Sequence, residues 1–137
     1  MPTVNVDALD RAVALLRDKF AAVEAIYLFG SANRQALRAD SDVDLAVLCL
    51  CPIPPEARFA LEQECAQVLG TDVDLVDLRT APLPLQAAIV AEGRALYVAN
   101  PAGVAFFGNT ILSRYCAFNE ERRPFFAAVR ERGAIHV

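Results

Sequence analysis

One stretch limits what this chain can become: residues 30–44, GSANRQALRADSDVD, set between two apolar runs. Ala25-Ile26-Tyr27-Leu28-Phe29 lies just before it and Leu45-Ala46-Val47-Leu48 just after. The stretch opens on Gly30-Ser31, continues through ten residues and closes on Asp42-Val43-Asp44. A Gly-Ser turn therefore follows one predicted strand, and a pair of acids opens the next. Strand side chains alternate between faces, so Asp42 and Asp44 point one way while Val43 and Leu45 point into the core. Two carboxylates held side by side repel each other, and that cost calls for cations. Hard oxygen ligands of this kind suit Mg²⁺, which typically takes one or two carboxylates plus substrate phosphates. They suit Mn²⁺ as well. The stretch reads as a site for a nucleotide phosphate and a metal.

The surrounding pattern supplies the scaffold. Leu9, Val13, Leu16 and Phe20 share one face of an amphipathic helix predicted over residues 7–22, with Asp7 as its N-cap. A strand over 24–29 follows, then a short helix capped by Ser31 and reaching about Leu37, a polar loop over 38–41, and a strand from Asp42 to about Leu50. Pro55 suits the first turn of a helix that runs to Leu69 and stops at Gly70. Residues 71–78 form a third strand. Pro82 and Pro84 precede a helix through Glu92, ended by Gly93, and residues 95–99 read as a short edge strand. Asn100-Pro101 opens a last helix past Phe106, Phe107, Ile111 and Tyr115, which Pro124 interrupts before residues 125–132. Strands alternating with helices predict an α/β domain. The chain of 137 residues shows no internal repeat, low-complexity tract or linker, so one domain over 1–137 is the economical reading.

The third strand carries a second alternating acid pair, Asp72 and Asp74. If it lies beside the Asp42–Asp44 strand, Asp74, mid-strand between Val73 and Leu75, can complete a three-carboxylate cluster. Asp72 starts the strand, where solvent takes it, and Asp77 falls on the opposite face. Arg34 and Arg38 are either phosphate neighbours or plain solvated cations, and Glu120 to Arg123 reads as a solvated helix face. The four cysteines, Cys49, Cys51, Cys65 and Cys116, make no CxxC, and the single histidine is His136, so zinc spacing is absent. Cys49 and Cys51 read as buried or half-buried thiols. A net charge of −4 argues against an autonomous nucleic-acid binder. No apolar run approaches ~18 residues, so no membrane span is expected. With no leader pattern at its start, the chain reads as cytoplasmic.

Gly-Ser, ten residues, then Asp-x-Asp is the signature of the nucleotidyltransferase superfamily whose best-known member is DNA polymerase beta. At average amino-acid usage roughly one or two chains per thousand of this length would carry that pattern by accident, so its setting matters. The setting agrees: strand, Gly-Ser turn, helix, strand, then a third Asp on a later strand. YLFGS, DSDVDLAVL, VDLVDLRTAP and EGRALY resemble the minimal nucleotidyltransferases of prokaryotes, the MNT proteins. They are most similar to the MNT antitoxins of HEPN–MNT toxin–antitoxin pairs, over a core of about residues 8–98. The tail from about 100 to 132 resembles the helical extension of those antitoxins in position and character only.

The resemblance implies a polymerase beta-like fold, with a mixed sheet flanked by helices and a C-terminal helical extension. It also implies a type VII-like antitoxin that transfers AMP from MgATP to a tyrosine of a HEPN ribonuclease toxin and so silences it. Gly30 and Ser31 match the phosphate-binding pair. Asp42 and Asp44 match the two metal-binding acids of a two-metal site, and Asp74 matches the third acid, which activates the acceptor hydroxyl. Two rival readings follow from the same residues. One is transfer of AMP to a small molecule, as in aminoglycoside adenylyltransferases, which need an added acceptor domain. The other is a non-catalytic antitoxin that acts by contact alone. Tyr27, Phe29 and Tyr97 read as core. Phe106, Phe107, Tyr115, Phe118, Phe125 and Phe126 exceed what one small helix can bury, which makes part of that cluster a candidate partner surface.

Overall fold

A computed structural model of the protein describes residues 6–20, 22–30 and 42–121. Strands β1 (Val23–Phe29), β2 (Val43–Cys49), β3 (Val73–Asp77) and β4 (Arg94–Val98) form one sheet in the order β3-β2-β1-β4. β1 is antiparallel to β2 and to β4, whereas β2 and β3 are parallel, so the sheet is mixed. Helices α1 (Val6–Lys19), α2 (Pro55–Leu69), α3 (Leu83–Glu92) and α4 (Pro101–Glu121) flank it. The parallel β2–β3 pair needs a crossover, and α2 supplies it. This is the mixed, helix-flanked α/β sheet that the alternating pattern predicts.

Strand alternation sorts the core into two layers. Val43, Leu45 and Val47 of β2 join Ile26, Leu28 and Leu75 on the face covered by α1 and α2, where Leu9, Leu16, Leu61 and Cys65 meet them. Ala46 and Leu48 turn to the other face with Ala25, Tyr27 and Leu78, beneath Ile89 of α3 and Val104 and Phe107 of α4. Each fully buried Leu or Ile contributes roughly 1.5–3 kcal/mol of transfer free energy, so both layers hold the sheet. Along β2 the burial lapses only at Asp44, which stands half-exposed near its start.

Local chemistry sets the element ends. Pro55 occupies the first turn of α2, and Gly70 ends it in the left-handed conformation (φ 72°), donating its N–H to the Ala66 carbonyl at 2.8 Å. Asn100 caps α4, its Oδ1 accepting the Gly103 N–H at 3.2 Å. Asp7 differs from expectation: α1 begins at Val6, so Asp7 lies inside the first turn, where its charge favours the helix dipole instead of serving as the N-cap. Tyr27 is buried as expected; Phe29 and Tyr97 are half-buried, the latter under the Arg17 guanidinium at 4.1 Å from the ring centre. Cys49 and Cys65 are buried, but Cys51, just beyond the end of β2, is exposed. The short helix expected from Ser31, the Pro124 break, Phe125, Phe126 and His136 lie outside the described residues.

Side chains tie down one edge and one end of the sheet. On the outer edge of β3, Glu62 Oε2 accepts the Leu75 N–H at 2.7 Å and Arg58 Nη1 donates to the Leu75 carbonyl at 3.0 Å. Two backbone groups that an edge strand leaves open are thereby satisfied. At the end of β3, buried Asp77 accepts N–H groups from Ile53 (2.9 Å) and Arg79 (3.1 Å). Arg79 Nε in turn donates to the Cys49 carbonyl at 2.6 Å. The end of β2, the proline-rich link into α2 and the end of β3 are thus fastened together.

Candidate active site

The opposite end of the sheet carries the acids. β2 and β3 are parallel with Asp44 directly beside Asp74, and β1 is antiparallel with Phe29 directly beside Asp44. In-register neighbours project to the same face, so Asp44 and Asp74 stand on one side of the sheet at the point where β1 ends. Asp42, two residues before Asp44, belongs to that same face and is exposed; Asp74 is exposed as well. The Val43 N–H donates to the Asp72 carbonyl at 2.9 Å, which carries the parallel pairing to the rim of the site. Asp72 is exposed at the start of β3, as expected.

Gly30 is required here by geometry. Its φ of 78° is one that residues with a Cβ rarely adopt, and a Cβ built there would run into the Asp44 carboxylate oxygen. The sequence suggests that this glycine lets a phosphate approach the backbone. It also meets a nearer need, since it leaves room for a carboxylate of its own chain. Nothing in the local sequence signals that contact, because Asp44 is fourteen residues away and meets Gly30 only through the β1–β2 register.

Among the described residues, no cation or donor offsets the charge of these acids. Asp44 titrates above the usual carboxylate range, first because burial desolvates it, then because Asp74 and Asp42 lie close. Among the described residues, no N–H or O–H donates to Asp42, Asp44 or Asp74. The contrast with Asp77, saturated by two donors, separates a structural acid from acids left available. Among the described residues, no three acidic, cysteine or histidine side chains come together closely enough to hold a metal ion, so Asp42, Asp44 and Asp74 share a face without closing into the three-carboxylate cluster expected. An open ladder of ionisable oxygens suits a hard cation that keeps some waters and takes further ligands from a substrate phosphate, which is how Mg²⁺ is usually held. Burial pushes the Cys49 and Cys65 thiols up to about 11, which leaves them protonated at neutral pH and removes them as nucleophiles.

Four of the five residues predicted for the site are therefore placed together or adjacent: Gly30, Asp42, Asp44 and Asp74. Ser31, Arg34 and Arg38 lie outside the described residues. Asp77, set aside on strand parity, does lie on the other face, in the α2-side layer. Sequence reasoning missed what it does there, namely holding the Ile53 N–H from across the chain.

Comparison with known proteins bears on the family and the fold. The profile of the "Polymerase beta, Nucleotidyltransferase" family matches residues 13–102. Protein adenylyltransferase MntA of Shewanella oneidensis is 37% identical over 114 residues, covering 83% of this chain and 81% of its own length. A toxin–antitoxin crystal structure with AMP-PNP superposes with a TM-score of 0.78 at 35% identity, covering 88% of this chain and 97% of the matched chain. The complex of a tri-AMPylated Shewanella oneidensis HEPN toxin with its MNT antitoxin gives a TM-score of 0.76 at 32% identity, over 90% of this chain and 96% of the matched one.

Proposed function

Because the chain belongs to the polymerase beta nucleotidyltransferase family, we propose that it is a protein adenylyltransferase acting as a cytoplasmic antitoxin. It transfers AMP from MgATP to a tyrosine of a HEPN ribonuclease toxin and so neutralises it. The observation that carries this reading is the in-register pairing of Asp44 with Asp74 beside the glycine that ends β1. Similarity to MntA and to toxin–antitoxin complexes, one of them with AMP-PNP, supports the choice of a protein acceptor and of ATP. Among the described residues no helix is long and apolar enough to cross a membrane.

The chemistry asks for an in-line attack. The tyrosine oxygen bonds to the α-phosphorus of ATP, the bond from that phosphorus to the bridging oxygen of the β-phosphate breaks, and pyrophosphate leaves. Asp42, Asp44 and Asp74 would hold Mg²⁺ on the sheet face, and two such ions would supply charge stabilisation for the attacking and leaving oxygens. Asp74, exposed and free of competing donors among the described residues, accepts the hydroxyl proton. Gly30 and Ser31 take the triphosphate where β1 ends. We assign the whole of 1–137 to one nucleotidyltransferase domain, with the catalytic core over about 8–98 and a helical extension beyond 100.

Intact-mass spectrometry tests the reading. The cognate HEPN toxin is incubated with MgATP and either the wild-type chain or an Asp42→Asn, Asp44→Asn variant. A mass gain in whole AMP units with the wild type only is the expected result. No gain, with tight binding kept by both proteins, would leave a contact inhibitor on a nucleotidyltransferase fold.

A further inference from the structure

We propose that the outward face of α4, running through Ala102, Phe106, Asn109, Ser113 and Ala117, is the surface on which the toxin partner docks. The proposal rests on the adenylyltransferase reading and adds the place where the acceptor protein is held.

α4 is an amphipathic helix without the usual polar face. Its inner stripe, with Val104, Phe107, Gly108 and Ile111, packs toward α3 and the sheet. Residues 102, 106, 109, 113 and 117 recur at helical spacing on the opposite side, and all five are exposed. A solvent-facing helix surface ordinarily carries charge. α1 shows this: Asp7, Asp10, Arg11, Arg17, Asp18 and Lys19 are all exposed. From Pro101 to Asn119, by contrast, Arg114 is the single charged residue. Phe106 leaves 74% of its surface in water. Beyond it, Asn109, Leu112, Ser113, Cys116 and Ala117 line a shallow groove of about 520 Å³. Small residues along a helix let a second backbone approach closely, and a protruding aromatic beside them is the usual form of an interface anchor.

Two further observations name the occupant. First, the family profile ends at residue 102, at the start of α4, so the transferase family as a whole does not call for this helix. The matches to the toxin complexes take in 88% and 90% of the chain, a width that reaches well past residue 102. The extension is thus shared with relatives solved together with a toxin. Second, Val104 and Phe107 pack in the layer with Ala46 and Leu48, and Asp44 alternates with those residues on the same face of β2. A protein seated on α4 stands on the side of the sheet from which the acids are reached.

The test uses three variants of the full chain: Phe106→Glu and Ala117→Arg on α4, and Phe59→Glu on α2. Phe59 is also exposed (59%), but α2 lies across the sheet. Titration calorimetry measures affinity for the cognate HEPN toxin, while thermal melting and MgAMP-PNP binding report fold and nucleotide site. Both α4 variants should weaken HEPN binding by about tenfold or more. Phe59→Glu should stay within about twofold of wild type, and all three should bind MgAMP-PNP as wild type does. Wild-type HEPN affinity in both folded α4 variants would overturn the proposal. So would a self-associated wild type, seen by sedimentation, that Phe106→Glu dissociates without changing HEPN affinity, since the face would then belong to a second copy. If the wild type neither binds nor adenylylates the HEPN protein, the underlying adenylyltransferase reading fails instead.

Discussion

Asp74 and Asp77 share strand β3, yet their surroundings are opposite in every respect that bears on chemistry. Asp77 is buried and accepts the N–H groups of Ile53 and Arg79. Asp74 is exposed, receives no hydrogen bond from the described residues and stands in register beside a second carboxylate, Asp44. A buried acid persists only when donors replace its lost hydration, and Asp77 meets that condition. An acid placed beside another without such donors raises the electrostatic cost of the fold, and Asp44 titrates high first because burial desolvates it and then because Asp74 and Asp42 lie close. One end of the sheet uses its carboxylate to hold the fold together. The other carries carboxylates that receive no donor from the described residues, and these are the acids the proposed metal site would use.

The contrast is open to direct attack, and the largest effect should come from the acid end. Replacing both Asp42 and Asp44 by Asn should slow AMP transfer by about three orders of magnitude, the several kcal/mol that metal-held charge contributes to the transition state. Quenched assays of AMP incorporation measure it, and near-wild-type turnover would erase the distinction between the two ends. At the clasp end, Asp77→Ala strips the acceptor from two N–H groups and should cost about 2–3 kcal/mol in urea melts. Transfer per folded molecule should stay unchanged; a fall in it would mean that Asp77 also serves the site.

Gly30→Ala probes the junction. A positive φ costs a residue with a Cβ about 1–2 kcal/mol, and the new methyl must displace the Asp44 carboxylate. Activity should therefore drop further than stability, and equal losses would reduce Gly30 to a turn residue.

The smallest effect concerns pH. The folded-state pKa of Asp44 lies above its unfolded value, so ionising this acid opposes folding. The metal-free wild type is therefore relatively favoured at low pH, and this advantage fades as pH rises from the ordinary carboxylate range through the folded pKa. Asp44→Asn removes the ionisation, so the metal-free variant should melt above the wild type at pH 7 and lose that lead near pH 3. A lower melting temperature at pH 7 would show the Asp44 carboxylate to be a stabilising group.

The placement of the candidate site residues was largely legible in the sequence because its logic is local. Strand alternation places Asp42 and Asp44 on one face, and the same parity rule selects Asp74 over Asp77. Pro55, Gly70 and Asn100 mark helix ends through their own backbone chemistry, and the structure keeps all three. What could not be read depends on register between distant segments. Ile53 reaches Asp77 across 24 residues, Leu75 finds Glu62 across 13, and Gly30 yields space to Asp44 only because β1 and β2 pair as they do. Asp7 was misplaced for a smaller reason: Ncap and first-turn acids look alike in sequence, and only the helix start at Val6 tells them apart. The excess of aromatics in the tail pointed to a partner surface, but of those described only Phe106 lies on the uncharged outer face of α4, while Phe107 packs on the sheet, and that sorting needed the helix geometry.

The most direct measurement is titration of MgAMP-PNP into the wild type, Asp44→Asn and Asp77→Asn, each confirmed folded by its melt. If the open acids hold the metal and its nucleotide, Asp44→Asn should lose about tenfold or more in affinity. Asp77→Asn, which keeps a carbonyl acceptor at the clasp, should bind as the wild type does. Equal affinity in wild type and Asp44→Asn would contradict the assignment of this end of the sheet as the metal–nucleotide centre.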